Sequence, residues 1–344
     1  MSEQEKPTPK STNMNSTDDT NEIKFESRMD LSGVKALVES VRAEIGKIIV
    51  GQHKMVDQLI AALLADGHVL IEGVPGVAKT LTAKLLAQII DADFSRIQFT
   101  PDLMPADVIG TSIFNPKTAE FDFKKGPIFS NIVLIDEINR SPAKTQAALF
   151  EVMEERQISA DGVTHFMAPP FMVIATQNPI EHEGTYRLPE AQLDRFLFKI
   201  AVPYPTLAEE INILEGSFER GNKIDFSILN KVTDSHEIEK QRAVVSKVHV
   251  EPELMKYIAE IIQSTRNSSS ISIGASPRAT VFVMRAAQAW AAIQGRDFIT
   301  PEDVKQIIKP VLRHRITLTP EKEMEGISSD QVIEMTLEKV EVPR

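Results

Sequence analysis

The chain has 344 residues, 42% of them hydrophobic, so it is long enough for more than one domain and can build substantial cores. Its 49 acidic and 38 basic side chains give a formal net charge of −11, which argues against a broad basic surface that grips nucleic acid by its phosphates. The absence of cysteine excludes disulfides and thiolate metal sites and agrees with a cytoplasmic protein.

Residues 1–28 predict a disordered tail, because they are mostly Ser, Thr, Asn, Pro and charged residues with almost nothing apolar to bury. The tail lacks the apolar region of a signal peptide. No later run reaches the roughly 18 apolar residues of a membrane span. We therefore expect a cytoplasmic protein without a transmembrane segment.

Two amphipathic helices are predicted next. Apolar residues recur at spacings of three and four over residues 31–48, which favours a helix. The sequence Ile49, Val50, Gly51, Gln52 interrupts this pattern before a second helix that ends near Leu64.

A glycine-rich turn follows at residues 68–80, HVLIEGVPGVAKT, between an apolar strand pattern and another helix. Gly73 and Lys79 have the spacing of the phosphate-binding template G-x-x-x-x-G-K-[ST], and Ala78 replaces its second glycine. Backbone N–H groups of such a loop converge on a polyphosphate. The alternative is an ordinary glycine-containing turn with an exposed lysine.

Each loop residue has an expected task. Gly73 and Gly76 let the backbone approach the ligand, and the Lys79 ammonium is expected on the β- and γ-phosphates. The Thr80 hydroxyl is expected to ligate Mg²⁺. The methyl group of Ala78 is tolerated if its φ is already negative as the helix begins.

Past the loop, the pattern predicts a helix over residues 80–90 and an alternating strand over residues 94–99. Residues 99–129 form a long connection interrupted by prolines. Its aromatic residues Phe114, Phe121 and Phe123 are expected on short hairpin strands. A connection of this length is usually functional.

A uniformly apolar strand at residues 132–135 ends in Asp136 and Glu137. Such strands are buried in parallel sheets, and ligands bind beyond their carboxyl ends. We expect Asp136 to hold Mg²⁺ and Glu137 to polarise the attacking water. The alternative is that both acids cap the next helix, predicted over residues 141–156 with Ser141 as its N-cap.

A further buried strand at residues 171–176 brings Asn178 to the same edge, where it could fix the attacking water or only serve the turn before a proline. Arg195 precedes the last predicted strand, residues 196–202, and its plain interpretation is an ion-paired residue at a helix end.

The composition changes after Pro203 and Pro205, a plausible hinge. Helical patterns cover residues 206–220, 253–266, 277–293 and 301–313. Arg278 lies at a helix start, where its guanidinium would point toward a phosphate if this domain folds over the site. We predict a tail at 1–28, an α/β domain at 29–203 and a helical domain with a C-terminal tail at 204–344.

Four segments carry a family resemblance that extends over about residues 31–314. They are GVPGVAKT, LIDEINRSPAKTQAALFEVMEER, ATQNPIEHEGTYRLPEAQLDRF and GASPRAT. Together they resemble the MoxR family of AAA+ ATPases, in the clade that also contains magnesium chelatase and the replicative helicases. The resemblance implies a P-loop αβα domain with a five-stranded parallel sheet, followed by a small helical lid.

The resemblance also implies residue roles. Asp136 and Glu137 match Walker B, Asn178 sensor 1, Arg195 the arginine finger and Arg278 sensor 2. Residues 110–125 match the helix-2 insertion that faces the ring pore, and Arg187 would be a second trans-acting arginine. The implied nucleotide-binding residues are Ile49, Val50, Gly51, Gly73, Val74, Pro75, Gly76, Val77, Ala78, Lys79, Thr80, Leu81 and Asp136, with Thr80 and Asp136 holding Mg²⁺. The stretch from Ile49 to Gln52 would line the adenine pocket.

By the same resemblance, the protein hydrolyses ATP with Mg²⁺ as a ring, most often a hexamer, and remodels partner proteins together with von Willebrand factor A domain proteins. The alternative is a nucleic-acid-dependent motor related to the helicases. The acidic balance and the absence of a recognisable DNA-binding module argue against it. A nucleotide sensor that does not hydrolyse ATP is disfavoured, because Glu137 and Asn178 are both present.

Overall fold

The computed structural model describes residues 29–117, 119–178, 186, 188–220 and 225–343. The predicted disordered tail at 1–28 lies outside the described residues. Within the described part of the chain, no helix is long and apolar enough to cross a membrane.

The strands in chain order are β1 (His68–Gly73), β2 (Phe94–Gln98), β3 (Gly110–Asn115), β4 (Glu120–Lys125), β5 (Ile132–Asp136), β6 (Gln157–Ala160), β7 (Val163–Phe166), β8 (Met172–Gln177), β9 (Phe196–Val202), β10 (Ile271–Ile273) and β11 (Thr317–Leu318).

The helices before the hinge are α1 (Ser32–Gly46), α2 (His53–Leu64), α3 (Lys79–Ile89), α4 (Pro105–Ile109), α5 (Ala143–Glu155) and α6 (Glu190–Leu193). Those after it are α7 (Leu207–Arg220), α8 (Ser235–Val245), α9 (Pro252–Arg266), α10 (Pro277–Ile293), α11 (Pro301–Leu312), α12 (Pro320–Met324) and α13 (Ser329–Leu337).

A five-stranded parallel sheet in the order β2-β5-β8-β1-β9 organises the first part of the chain. Its central strands are apolar on both faces. Successive side chains of a strand therefore pack into two different hydrophobic cores, one on each face of the sheet. In β5, Ile132 and Leu134 lie in the core shared with α1, α2 and α3, whereas Val133 and Ile135 lie in the core shared with α5. Helices therefore cover both faces, as the apolar strands predict. The predicted α/β fold with a parallel five-stranded sheet is confirmed.

The helices that follow the hinge form the lid, together with a short antiparallel ladder of β10 and β11. The lid does not form an isolated core. Helix α10 packs against α1 and α2, and α11 packs against β9. The apolar residues of the lid consequently join the core on one face of the sheet. The domain boundaries at residues 28 and 203 stay predictions.

Two antiparallel hairpins project from the sheet. Strands β3 and β4 form the predicted hairpin and place Phe114 opposite Phe121. The hairpin of β6 and β7 is one that the analysis of apolar spacing missed. Its turn, Asp161-Gly162, has positive φ at both residues, the geometry that favours Asp-Gly in tight hairpins. This dipeptide is the sequence feature that predicts the second hairpin.

The predicted cap of α5 is wrong by one position. The helix begins at Ala143, and Pro142 is the N-cap, with φ −60° and ψ 151°. Because the backbone of Pro142 stays extended, the preceding Ser141 lies too far from the first turn to cap it. Ser141 is fully buried, and its Oγ has no hydrogen-bond partner among the described residues.

A buried histidine begins β1. The ring of His68 receives a hydrogen bond at Nδ1 from the Val173 backbone N–H (3.0 Å), so Nε2 carries the proton and donates to the Met153 carbonyl (3.1 Å). Burial is the main cause that lowers the pKa of His68 to about 4. Protonation of Nδ1 would break the hydrogen bond from Val173.

This histidine should make the fold acid-sensitive. The pKa of His68 is lower in the folded than in the unfolded chain, so the stability it contributes is complete above about pH 6.5 and is lost as the pH falls toward 4. We expect His68→Gln to reduce the slope of unfolding free energy against pH in this window by about 1.4 kcal/mol per unit. Urea denaturation at several pH values measures it, with the exposed His236→Gln as the control. Equal slopes for the two variants would contradict the prediction.

Candidate functional site

The polar residues singled out in the sequence meet at the carboxyl edge of the sheet. Strands β5, β8 and β1 are neighbours there, and their ends line a cleft of about 380 Å³. The lining residues are Pro75, Gly76, Ala78, Lys79, Thr80, Leu81, Arg96, Gln98, Asp136, Glu137, Thr176 and Asn178. The loop, both acids and Asn178 are thus brought together as expected from their positions after buried strands.

The loop between β1 and α3 has two residues in the left-handed region. Gly76 has φ 89°, and Ala78 has φ 60° at the N-cap of α3. The condition of a negative φ at Ala78 is therefore not met. The chain must reverse its curvature there to enter the helix, which is why the template prefers glycine at this position. The Lys79 Nζ donates to the Gly73 carbonyl and lies 3.5 Å from the Gln177 carbonyl, so the ammonium folds over the loop.

Asp136 is a buried carboxylate that accepts hydrogen bonds from two hydroxyl groups. The Thr80 and Thr176 hydroxyls each donate to its Oδ1 at 3.1 Å. A hydroxyl beside a carboxylate supplies the hard oxygen ligands that Mg²⁺ prefers. The two residues predicted to hold the metal, Thr80 and Asp136, therefore fit it. Thr176 was missed in the sequence. It is the first polar residue after four apolar ones in β8, and this position could have identified it.

Glu137 is held in a strained position. Its backbone is left-handed, with φ 58°, and its N–H donates to the Thr176 hydroxyl at 3.1 Å. Its Oε2 accepts from Gln98 Nε2 at 2.8 Å and lies 3.2 Å from Arg140 Nη1. Left-handed backbone at a residue with a Cβ persists only where the surroundings enforce it, and such residues cluster at functional sites.

The strand β2 contributes two residues that sequence reasoning missed. Arg96 and Gln98 are two residues apart in β2, and side chains at this spacing in a strand face the same side of the sheet. The Arg96 Nε lies 2.6 Å from Asp136 Oδ2, and Gln98 contacts Glu137. Each acid thus has one partner on β2. A metal ion bound to Asp136 would compete with Arg96 for Oδ2.

The residues expected to line an adenine pocket lie elsewhere. Ile49 and Gly51 line a separate hollow of about 310 Å³, together with Arg42 and His53. Val50 follows Ile49 and is half-buried. Gly51 has φ 66°, and a Cβ placed on it would lie 2.0 Å from the Glu209 carboxylate. The turn therefore requires glycine, whereas its contact with adenine stays a prediction.

The two arginines expected to contact the phosphates do not line the cleft. Arg195 precedes β9, whose Phe196 pairs with His68, whereas Val202 pairs with Gly73 at the start of the loop. Arg195 is therefore at the amino end of the sheet, about 20 Å from the loop at roughly 3.3 Å per strand residue.

Arg278 lies at the same end. Its Nη2 is 2.6 Å from Glu154 Oε1, while Arg195 Nε is 3.4 Å from Glu154 Oε2. One carboxylate thus holds both guanidiniums. The expectation that Arg278 faces the phosphates of its own chain is not met, because the lid packs beside the sheet rather than over the cleft. Arg187, the other arginine suggested by the resemblance, lies outside the described residues.

A buried ion pair fixes this arginine pair to the sheet. The Arg315 side chain is 1% exposed, and its Nε lies 2.7 Å from Asp194 Oδ1. The Ser276 hydroxyl donates to Asp194 Oδ2 at 2.9 Å. Burial lowers the pKa of Arg315 to about 10, so it remains charged at neutral pH. Because Asp194 precedes Arg195 and Ser276 is two residues before Arg278, these contacts align both arginines on one surface.

Both parts of the chain are similar to known proteins. Residues 68–198 match the model of the ATPase family associated with various cellular activities (AAA), and residues 263–336 match that of the AAA lid domain. The chain is 44% identical to Chaperone MoxR1 of Mycobacterium tuberculosis, over 88% of this chain and 81% of that protein. It is 46% identical to the uncharacterized protein YeaC of Bacillus subtilis, over 87% of this chain and 92% of that protein.

Among solved structures, the chain is similar to that of a Cytophaga hutchinsonii protein assigned as an ATPase. The TM-score is 0.84 at 42% sequence identity, and the alignment covers 91% of this chain and 97% of that one.

The left-handed backbone at Ala78 leads to a stability prediction. The left-handed conformation destabilises a folded residue that has a Cβ by roughly 1–2 kcal/mol, and glycine relieves this strain. Glycine also increases the conformational entropy of the unfolded chain, which lowers stability by about 0.5–1 kcal/mol. We expect Ala78→Gly to raise the free energy of unfolding by about 0.5–1 kcal/mol, as measured by urea denaturation.

The matched control is Ala243→Gly, at an exposed position inside α8. There the same substitution should lower the free energy of unfolding by about 1 kcal/mol. A comparable loss of stability for Ala78→Gly would show that the backbone at Ala78 is not left-handed.

Proposed function

The chain belongs to the MoxR family of AAA+ ATPases, and from that premise we propose that it hydrolyses ATP with Mg²⁺ in a ring of identical subunits and uses the energy to remodel partner proteins. The observation that carries the ATPase proposal is the convergence of Lys79, Thr80, Asp136, Glu137 and Asn178 on one cleft. These residues supply the cation, metal ligands and water-positioning groups that phosphoryl transfer requires.

Each residue has a defined task in this proposal. The loop N–H groups and Lys79 hold the phosphates, and Thr80 with Asp136 holds Mg²⁺. When bound, Mg²⁺ neutralises the charge that develops on the phosphate oxygens. Glu137 orients and polarises the attacking water once Gln98 releases its Oε2, and Asn178 fixes that water from the neighbouring strand.

The proposal of a ring rests on the location of the arginines. Phosphoryl transfer gains from an arginine at the γ-phosphate. Arg195 and Arg278 share one surface at the amino end of the sheet, too far from the cleft of their own chain to contact a nucleotide there. Two copies arranged head to tail would bring this surface of one copy to the cleft of the next. Repetition of that contact closes a ring if the rotation allows it, as in the proposed hexamer.

The proposal of a protein substrate rests on the relatives and on an exposed hairpin. A relative with 44% identity is named a chaperone. In the β3–β4 hairpin, Phe114 and Phe121 are 51% and 68% exposed, which suits contact with apolar segments of another protein. A von Willebrand factor A domain partner and the placement of this hairpin at a ring pore follow from the resemblance alone. The cytoplasmic location likewise stays a prediction.

Two substitutions test the ATPase proposal. Lys79→Ala should lose nucleotide binding, because it removes the cation from the phosphate loop. Glu137→Gln should keep nucleotide binding and lose hydrolysis by about 10²-fold or more, the contribution of a group that positions the attacking water. Steady-state phosphate release and binding of a fluorescent ATP analogue measure the two effects.

The control is Glu151→Gln, which changes an exposed carboxylate on α5 outside the cleft and should leave hydrolysis unchanged. Normal turnover by Glu137→Gln would show that another group positions the water. The absence of Mg²⁺-stimulated phosphate release by the wild-type protein would refute the ATPase proposal.

A further inference from the structure

Helix α7, the first helix after the sheet, exposes an apolar stripe. The stripe consists of Leu207, Ile211, Leu214 and Phe218, which are 76%, 47%, 69% and 91% exposed. Their spacings of four, three and four residues place them on one side of the helix. Full-size side chains at these exposures amount to about 500 Å² of apolar surface, in the range of about 300–600 Å² of the largest patch on a typical monomer, which is often functional.

The opposite side of α7 faces the body of the protein. Glu209 lies about 200° around the helix from Leu207. Its Oε2 accepts hydrogen bonds from the Thr206 N–H (2.7 Å) and hydroxyl (2.9 Å), and its carboxylate lies against Gly51. Glu209 thus attaches this side of the helix to the turn at Gly51, and the stripe lies on the side turned away from that contact. A helix this short is marginal by itself in water, so its apolar side requires a partner.

The position of α7 indicates which partner. Strand β9 ends at Val202, beside Gly73 at the start of the phosphate loop, and α7 begins five residues later. Helix α7 therefore stands at the carboxyl edge of the sheet, next to the cleft. A second copy must cover this edge if its Arg195 and Arg278 are to complete the cleft.

The surface that carries these arginines has apolar residues of its own. Ile273 on β10 and Val281 on α10 are 49% and 50% exposed. Val281 follows Arg278 by three residues, so the two share one side of α10. A copy that brings Arg278 to the cleft of its neighbour brings Val281 and Ile273 along with it.

We propose that the α7 stripe docks on the surface formed by Ile273 and Val281 of the adjacent copy and anchors the contact that completes the cleft. The partner is a second copy of this chain, arranged head to tail. This inference rests on the proposed function, because it requires the arginines to act on the neighbouring subunit. The stripe supplies the buried apolar centre that a stable interface requires, and the charged groups around the cleft form its rim.

Cross-linking tests the contact directly, because the natural chain contains no cysteine. The double variant Leu214→Cys with Val281→Cys, treated with a short bis-maleimide, should give a ladder of covalent dimers, trimers and larger species on a denaturing gel. Each single variant should give no ladder. A double variant without a ladder, or a single Leu214→Cys that dimerises as well as the double variant, would overturn the head-to-tail contact.

A charge in the stripe tests its importance for assembly. Leu214→Asp should raise the protein concentration at which half of the chains are assembled by at least tenfold, measured by analytical ultracentrifugation with ATP and the Glu137→Gln background. The isolated variant should still bind the fluorescent ATP analogue. Met324→Asp is the control, because Met324 is 82% exposed on α12 and lies outside the proposed contact.

The outcomes separate this inference from the proposed function. If the wild-type chain assembles and hydrolyses ATP, and Leu214→Asp assembles at the same concentration, the α7 contact is wrong and the ring ATPase stands. A wild-type chain that stays monomeric while it hydrolyses ATP at full rate would overturn both.

Discussion

The parallel direction of the five strands is the constraint on which the rest of the structure depends. Because all strands run the same way, every residue that follows a strand lies at one edge and every residue that precedes a strand lies at the other. Lys79, Asp136 and Asn178 follow strands and meet at the cleft. Arg195 precedes one and is separated from the cleft by the length of the sheet. The fold thus places the charged groups of the proposed reaction at two ends of the subunit.

At the carboxyl edge of the sheet, polar side chains lie beside strands that are otherwise apolar and buried. Asp136 is 6% exposed, and burial of its charge is tolerable because Thr80, Thr176 and Arg96 surround it with donors. Glu137, in contrast, is half-buried, contacts both Gln98 and Arg140 through its Oε2, and has a left-handed backbone. In the proposed function, Glu137 exchanges its contact with Gln98 for the attacking water.

Local patterns in the sequence predicted the elements and most of the cleft. The strand from Ile132 is uniformly apolar, so its burial and the location of Asp136 follow from elementary rules. The missed residues depend on neighbours that are distant in sequence: Arg96 reaches Asp136 only because β2 lies beside β5. The φ of Ala78 is set by the closure of the loop. The glycine of the template indicates this conformation, whereas the alanine of this chain does not.

In the lid, too, the positions of side chains depend on contacts between residues that are distant in sequence, which local patterns do not predict. The position of Arg278 depends on Ser276 bonding to Asp194, 82 residues away, and on the Arg315 pair with Asp194, 121 residues away. Helical periodicity gives the bounds of α10 but not the surface against which it packs. The family resemblance identified Arg278 as a site residue, whereas its contact with Glu154 at the amino end of the sheet follows only from the tertiary structure.

The most direct test of this division is complementation between two inactive variants. Lys79→Ala lacks the phosphate cation, and Arg195→Ala lacks an arginine worth roughly 10³-fold or more in rate. If the cleft of one copy uses the arginine of the next, mixed assemblies contain interfaces where an intact Lys79 meets an intact Arg195. Phosphate release from the mixture should then exceed that of either variant alone, once both are shown to assemble and exchange subunits. A mixture no more active than the average of its components, or an Arg195→Ala protein with full turnover, would contradict a site shared between subunits.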